Sequence, residues 1–235
     1  METAVQTAPV SRGFQQIASP WHTALVVSVE ATMVLRGRLQ VGHLRAATNL
    51  SRITLYEKTI LFQWLTLGLI LAGVWLHGSP LRTVLGARWS TVRQLFRDIA
   101  IGLLFLFAST VITSILGPHG NSAGPDKMIQ FLLPQGRVET ALWIVLSFTA
   151  GVCEEAIYRG YLQTQFIAFS RSVPVGIVLS ALAFGAAHAY QGLGRASVIA
   201  VMGVLAGALA YWCRSVRPGM IAHFLQDAMA VFVHP

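Results

Sequence analysis

From Thr59 to Leu76 the chain reads TILFQWLTLGLILAGVWL, without one charged side chain. Few folds accept such a run. A helix rises about 1.5 Å per residue, so about 20 apolar residues cross the roughly 30 Å of hydrocarbon in a bilayer. A backbone inside lipid must also satisfy its own hydrogen bonds, and a helix does this within one segment. A second clean run, IAIGLLFLFASTVITSIL, occupies 99–116, and others follow at 173–190 and 196–213. The run at 141–153 is too short alone and must borrow residues from the charged motif that follows it. The run at 220–233 is short and holds ionisable groups, and the window 21–35 is interrupted by Glu30, so it either spans or lies at the interface. Only 11% of the 235 residues are charged and 54% are hydrophobic, against about 25% charged in a soluble domain. The expected fold is all-α: a polytopic transmembrane helical bundle of six to seven spans.

The formal net charge of +8 does not point to nucleic acid, because the basic residues sit between apolar runs. Phosphates at the membrane surface are their expected partners. Both of the first two connecting loops are basic, with Arg36, Arg38, Arg45 and Arg52 in one and Arg82, Arg88, Arg93 and Arg97 in the next, so the charge bias gives no orientation. Cys153 and Cys213 lie in or beside apolar runs and read as small buried hydrophobes. Gly and Pro clusters at 77–80, 117–125 and 217–219 mark turns, and residues 87–98 read as an interfacial amphipathic helix. Ser172 is a candidate N-cap with Pro174 in the first turn after it. Gly203 and Gly207 stand at the spacing that lets helices approach closely.

Three charged clusters interrupt the second half. In EEAIYR, Glu155 and Arg159 are four apart and share a helical face, where they can neutralise one another. Glu154 points elsewhere and stays available as a general base. In FGAAH, Phe184 and His188 share a face, and in HFLQD, His223 and Asp227 do so. An acid or arginine at the centre of a span costs about 2.5 to 3.5 kcal/mol, so such residues are functional suspects by default. A carboxylate base and two histidines are parts suited to activating water and stabilising an oxyanion.

These three motifs, in this order, resemble the EExxxR, FxxxH and HxxxN/D motifs of the CPBP intramembrane proteases, which include type II CAAX prenyl endopeptidases and bacteriocin-processing or immunity proteins. The resemblance covers about the C-terminal 100 residues. It implies that Glu154 and His188 activate water, that His223 and Asp227 hold the oxyanion or help ligate a metal, and that Glu155, Arg159 and Phe184 order the site between C-terminal helices. Asp227 stands where many members have asparagine; an ionised carboxylate accepts and does not donate, so orienting His223 suits it better. Two mechanisms stay open, a divalent metal such as zinc held by Glu154, His188, His223 and Asp227, and a metal-free one. The implied organisation is an N-terminal tail at 1–20, transmembrane helices and basic loops at 21–137, and a catalytic core at 138–235. The expected function is intramembrane endopeptidase action, of CAAX type or on a leader peptide, in a multi-pass protein of the cell membrane. Its partners would be the lipid bilayer and a peptide or membrane-anchored protein substrate. The alternatives are a non-catalytic scaffold or immunity protein of the same fold, and a proton-coupled transporter, for which no internal repeat is evident.

Overall fold

The computed structural model describes residues 14–46, 51–116 and 131–233, and every regular element among them is helical. Helix α1 (Pro20–Ala46) starts at proline, with the Ser19 hydroxyl accepting from the His22 backbone N–H at 3.2 Å. Helix α2 (Arg52–Leu76) is capped by Ser51 in the same way, through Thr54 N–H. A single turn, α3 (Arg82–Leu85), leads to α4 (Val92–Leu116). The next rod is continuous: α5 (Gly136–Glu154), a π-helical segment (Glu155–Leu162) and α6 (Gln163–Ser170). Helix α7 (Val173–Ala187) ends at a 3-10 turn (Ala189–Gln191), from which α8 (Leu193–Cys213) and α9 (Arg217–Val233) follow.

Four stretches are long and apolar enough to cross a membrane: Arg52–Leu76, Val92–Ile115, Gly136–Ser170 and Leu193–Cys213. The expectation of six to seven spans counted α1, α7 and α9 as well. Val173–Ala187 is apolar but shorter, and α1 carries Glu30, Arg36, Arg38 and Arg45. The short run at 141–153 does borrow from the charged motif, since its helix runs unbroken through Glu154, Glu155 and Arg159.

Three local expectations need correction. Residues 87–98 form no separate amphipathic helix, because the helical turn begins at Val92 and continues directly into the span. Trp89 is instead drawn onto that span, its indole N–H donating to Asp98 at 2.9 Å while Arg217 stacks on its ring at 4.2 Å. The cluster at 217–219 is the first turn of α9 and not a loop, since Pro218 is tolerated where the N–H has no helical acceptor. The reversal falls just before it, at Arg214, which adopts the left-handed conformation with φ of 54°. Helix α7 stops at Ala187, short of the expected Tyr190, with the extended Ser172 before it and Pro in its first turn. The Ser172 side chain makes no capping bond. The turn expected at 117–125 lies outside the described residues.

The α5–π–α6 rod is the axis of the bundle. Helix α2 runs along α5, α9 lies between α5 and α4, and α7 packs against both α6 and α8. All eight residues of the π-helical segment are buried. Its wide turn leaves the Tyr158 carbonyl accepting from the Gln163 N–H, five residues on, and from the Ser180 hydroxyl of α7 at 2.6 Å. Small residues permit the close packing beside it. A Cβ on Gly203 would meet that of Ala181 at 3.0 Å, and Gly207 lies under Gln163, whose amide donates to the Gly207 carbonyl at 3.0 Å. The paired glycines of α8 thus find their partners in α7 and the rod.

The segment before α1, expected as the end of a tail, is tied to the rod at Ile17 and Ala18, both buried. Gln165, wholly buried, accepts from Ile17 N–H at 2.7 Å and donates to Ala18 O at 2.9 Å and Thr23 Oγ1 at 2.6 Å. One turn along α1, His22 Nε2 donates to the Leu69 carbonyl of α2 at 3.1 Å, so its Nδ1 accepts from Tyr161 at 2.6 Å. Cys153 and Cys213 are both free thiols, the first buried.

Candidate active site

The π-helical segment begins at the second glutamate of the pair. Glu155 and Arg159 form the expected ion pair, 3.1 Å apart, with both side chains only 3% exposed. Arg159 also stacks on Phe184, its guanidinium carbon 4.1 Å from the ring centre, so the cation is held by a carboxylate and a π face at once. Glu154 is separate from this brace. Its Oε1 accepts from Gln63 Nε2 of α2 at 2.6 Å, and its Oε2 is buried with no hydrogen-bond partner within the protein.

Both glutamates nevertheless meet at one imidazole. His223, on α9, turns Nδ1 toward Glu155 Oε1 at 3.3 Å and Nε2 toward Asp227 Oδ2 at 3.5 Å and Glu154 Oε2 at 3.8 Å. Glycine makes this approach possible. A Cβ on Gly219, one turn before His223, would stand 2.7 Å from Glu155 Oε2. Asp227 is the most open member, its side chain 37% exposed, and its backbone carbonyl accepts from Trp143 Nε1 at 2.9 Å.

Phe184 joins the second histidine to the first. Its ring packs edge-on to His188 at 4.7 Å, to Tyr158 at 5.0 Å and to His223 at 6.1 Å between centroids. His188 caps the C-terminus of α7, and its Nδ1 lies 2.9 Å from the Phe184 carbonyl. A carbonyl only accepts, so Nδ1 carries the proton and the neutral ring keeps a bare Nε2. The structure therefore gathers Glu154, Glu155, Arg159, Phe184, His188, His223 and Asp227 where the rod, α7 and α9 meet.

Two site residues escaped the reading of the sequence. Gln63 belongs to the N-terminal half, and the available signal was a lone amide in the middle of an apolar run. Glu30, noticed only as an interruption, accepts from the Tyr158 hydroxyl at 2.7 Å and so ties α1 to the ring on which Phe184 packs.

The four residues expected to hold a metal do not make a ligand cage. Among the described residues no three His, Cys, Asp or Glu side chains are disposed to hold an ion. His223 Nδ1 faces Glu155 and Nε2 faces Asp227 and Glu154, whereas His188, with Nδ1 on a carbonyl, keeps Nε2 as its one lone pair. A zinc–imidazole bond needs a nitrogen lone pair about 2.0 Å from the ion, with further ligands at similar range.

Residues 136–229 match the family described as type II CAAX prenyl endopeptidase Rce1-like. Comparison with curated proteins and with solved structures gives no match. The matched segment holds every motif residue of the site, from Glu154 to Asp227, and leaves out Gln63 and Glu30. The chain carries, in residues 136–229, a domain of the Rce1-like type II CAAX prenyl endopeptidase family.

Proposed function

We propose that the protein is an intramembrane endopeptidase that uses a water molecule activated by Glu154 and His188 to hydrolyse a peptide bond. The observation that carries this reading is the Glu154 carboxylate: one oxygen is fixed by Gln63, and the other is buried, free of protein partners and 3.8 Å from His223. Water bound there gives its proton to Glu154 as its oxygen attacks the carbonyl carbon. The π electrons of the carbonyl move onto oxygen, and His223 Nε2–H is the donor that meets the developing charge. As the tetrahedral intermediate collapses, the C–N bond breaks and the proton held by Glu154 passes to the leaving nitrogen. His188 Nε2 takes up the remaining hydroxyl proton as the new carboxylate forms, and Glu155, 3.3 Å from Nδ1, keeps His223 turned toward the site beside Asp227. No step is routed through a metal.

The site lies below the membrane surface in this reading. Helix α7 has 15 residues, so it is about 22 Å long and stops short of the roughly 30 Å core. His188 at its end sits at hydrocarbon depth, with α1, α7 and α9 completing seven spans. A substrate anchored in the cell membrane, such as a prenylated CAAX-type peptide, suits a site so placed.

Protein reconstituted in liposomes should cleave a farnesylated CAAX peptide, and Glu154→Ala or His188→Ala should slow turnover about 10²- to 10⁴-fold, the usual worth of a general base. Unchanged turnover in Glu154→Ala would sink the assignment. A folded wild-type chain that cleaves neither prenylated nor plain peptides favours the non-catalytic scaffold. The same assay run with a chelator reports directly on metal dependence.

A further inference from the structure

Helix α2 lies outside the matched domain, yet it delivers one amide into the centre of the site. Gln63 is 8% exposed, and its Nε2 reaches Glu154 Oε1 at 2.6 Å, among the shortest hydrogen bonds of the described residues. The amide orientation follows from chemistry, because an ionised carboxylate can only accept and so must face the NH₂ end. The carbonyl end, Oε1, is then buried with no hydrogen-bond partner within the protein. Glu154 Oε2 is buried and unpartnered in the same sense. Each of these atoms shares a carbon with one end of the Gln63–Glu154 hydrogen bond, so two unsatisfied acceptors flank a single contact.

Leaving two buried acceptors unmet is costly, and what satisfies both is one small molecule with two donors. Water has that form. We propose that Gln63 is a positioning residue of the reaction: its NH₂ holds the Glu154 carboxylate in one rotamer, and its carbonyl accepts the second proton of the water that Glu154 activates. The water oxygen is thereby turned with its lone pair away from both acceptors, toward an incoming carbonyl carbon. This inference rests on Glu154 being the base, and it assigns to α2 a role that the three C-terminal motifs do not contain.

The test is kinetic and uses the full chain in liposomes with the farnesylated peptide. Gln63→Met keeps the length of the side chain and removes both polar ends. Losing a hydrogen bond to a charged group should lower kcat about 10- to 100-fold. KM should stay unchanged, since the amide orients water and not substrate. Gln63→Asn, which keeps both ends on a shorter stem, should recover part of the loss. The double variant Gln63→Met/Glu154→Gln should be no slower than Glu154→Gln alone, because Gln63 acts through that carboxylate. Losses that multiply, or a Gln63→Met defect confined to KM, would overturn the proposal. If Gln63→Met does not fold, Gln63→Glu carries the test, since it sets a second acid against Glu154, and full kcat in that variant would be equally fatal. An inactive Glu154→Ala beside a fully active Gln63→Met removes this inference alone; an active Glu154→Ala removes the base itself.

Discussion

Helices α2 and α4 are both 25 residues long, and the mean hydropathies of their apolar 18-residue windows, 1.8 and 2.0, barely separate them. Their neighbourhoods differ. A third of the apolar window of α2 is buried inside the bundle, against 17% for α4. Down α2, Arg52 pairs with Glu139 at 2.7 Å, Tyr56 donates to the Leu132 carbonyl, Gln63 reaches Glu154 and Trp64 donates to Thr149 at 3.2 Å. Three of these four partners lie in α5 and the other just before it. Helix α4 spends its buried acid, Asp98, on its own Arg97 and on Trp89, and packs mainly along α9, closely at Gly102 and with Ser109 donating to Gln226 at 3.3 Å. Hydropathy decides whether a helix sits in lipid; a few polar side chains decide what it faces there.

The charged centre that α2 helps to hold is where the largest effect is expected. In Arg159→Met the Glu155 carboxylate would remain buried without its cation, and breaking a buried pair by removing one partner costs about 3–5 kcal/mol. Unfolding in mixed micelles should detect that loss, with cleavage abolished, because Arg159 also holds Phe184 in place. Glu155→Leu/Arg159→Met should regain much of the stability and none of the activity, since an apolar pair tolerates burial but leaves His223 Nδ1 without its acceptor. A wild-type unfolding midpoint in Arg159→Met would mean that the centre of the rod is no more electrostatically committed than α4.

The brace was legible in the sequence because a contact four residues apart survives the local change of helix type. Helical periodicity places Glu155 and Arg159 together, and the wider π turn does not part them. What failed was long-range. Periodicity could put Glu154 off the Arg159 face but could not say that Glu154 and Glu155 converge on His223, because that depends on how closely Gly219 lets α9 approach. Gln63 and Glu30 were invisible as site residues for the same reason, each meeting its partner about 90 or more positions away. Span edges were legible where a cap or a charge marked them, as at Ser172. They were misread at 217–219, where proline and glycine serve a helix start and not a turn.

The foot of α4 offers a smaller and opposite test. Asp98 is 2% exposed and accepts from Trp89 Nε1 at 2.9 Å and from Arg97 Nη2 at 2.8 Å. Asp98→Ala should cost about 1.5 kcal/mol, the low end for hydrogen bonds to a charged group, because Arg97 remains free to turn to solvent. Turnover per folded molecule should not change, as nothing in this cluster touches the site. A kcat defect in correctly folded Asp98→Ala would show that α4 is coupled to the reaction, and the distinction between the two helices would fall.

The smallest effect belongs to α2 itself, beside its functional amide. Trp64 follows Gln63 directly, but its indole N–H donates to Thr149 Oγ1, one turn before the charged motif, while the residue stays 43% exposed on the outside of the bundle. In Trp64→Phe the ring is largely kept and only this bond is lost. Hydrogen bonds between membrane helices average about 0.6 kcal/mol by double-mutant cycle, because the separated helices also find partners. A shift of that size in the unfolding midpoint, with kcat untouched, would set Trp64 apart from Gln63 although they are adjacent in sequence. Should Trp64→Phe slow cleavage as much as Gln63→Met does, the amide has no special standing, and α2 matters to the site only through the way it packs.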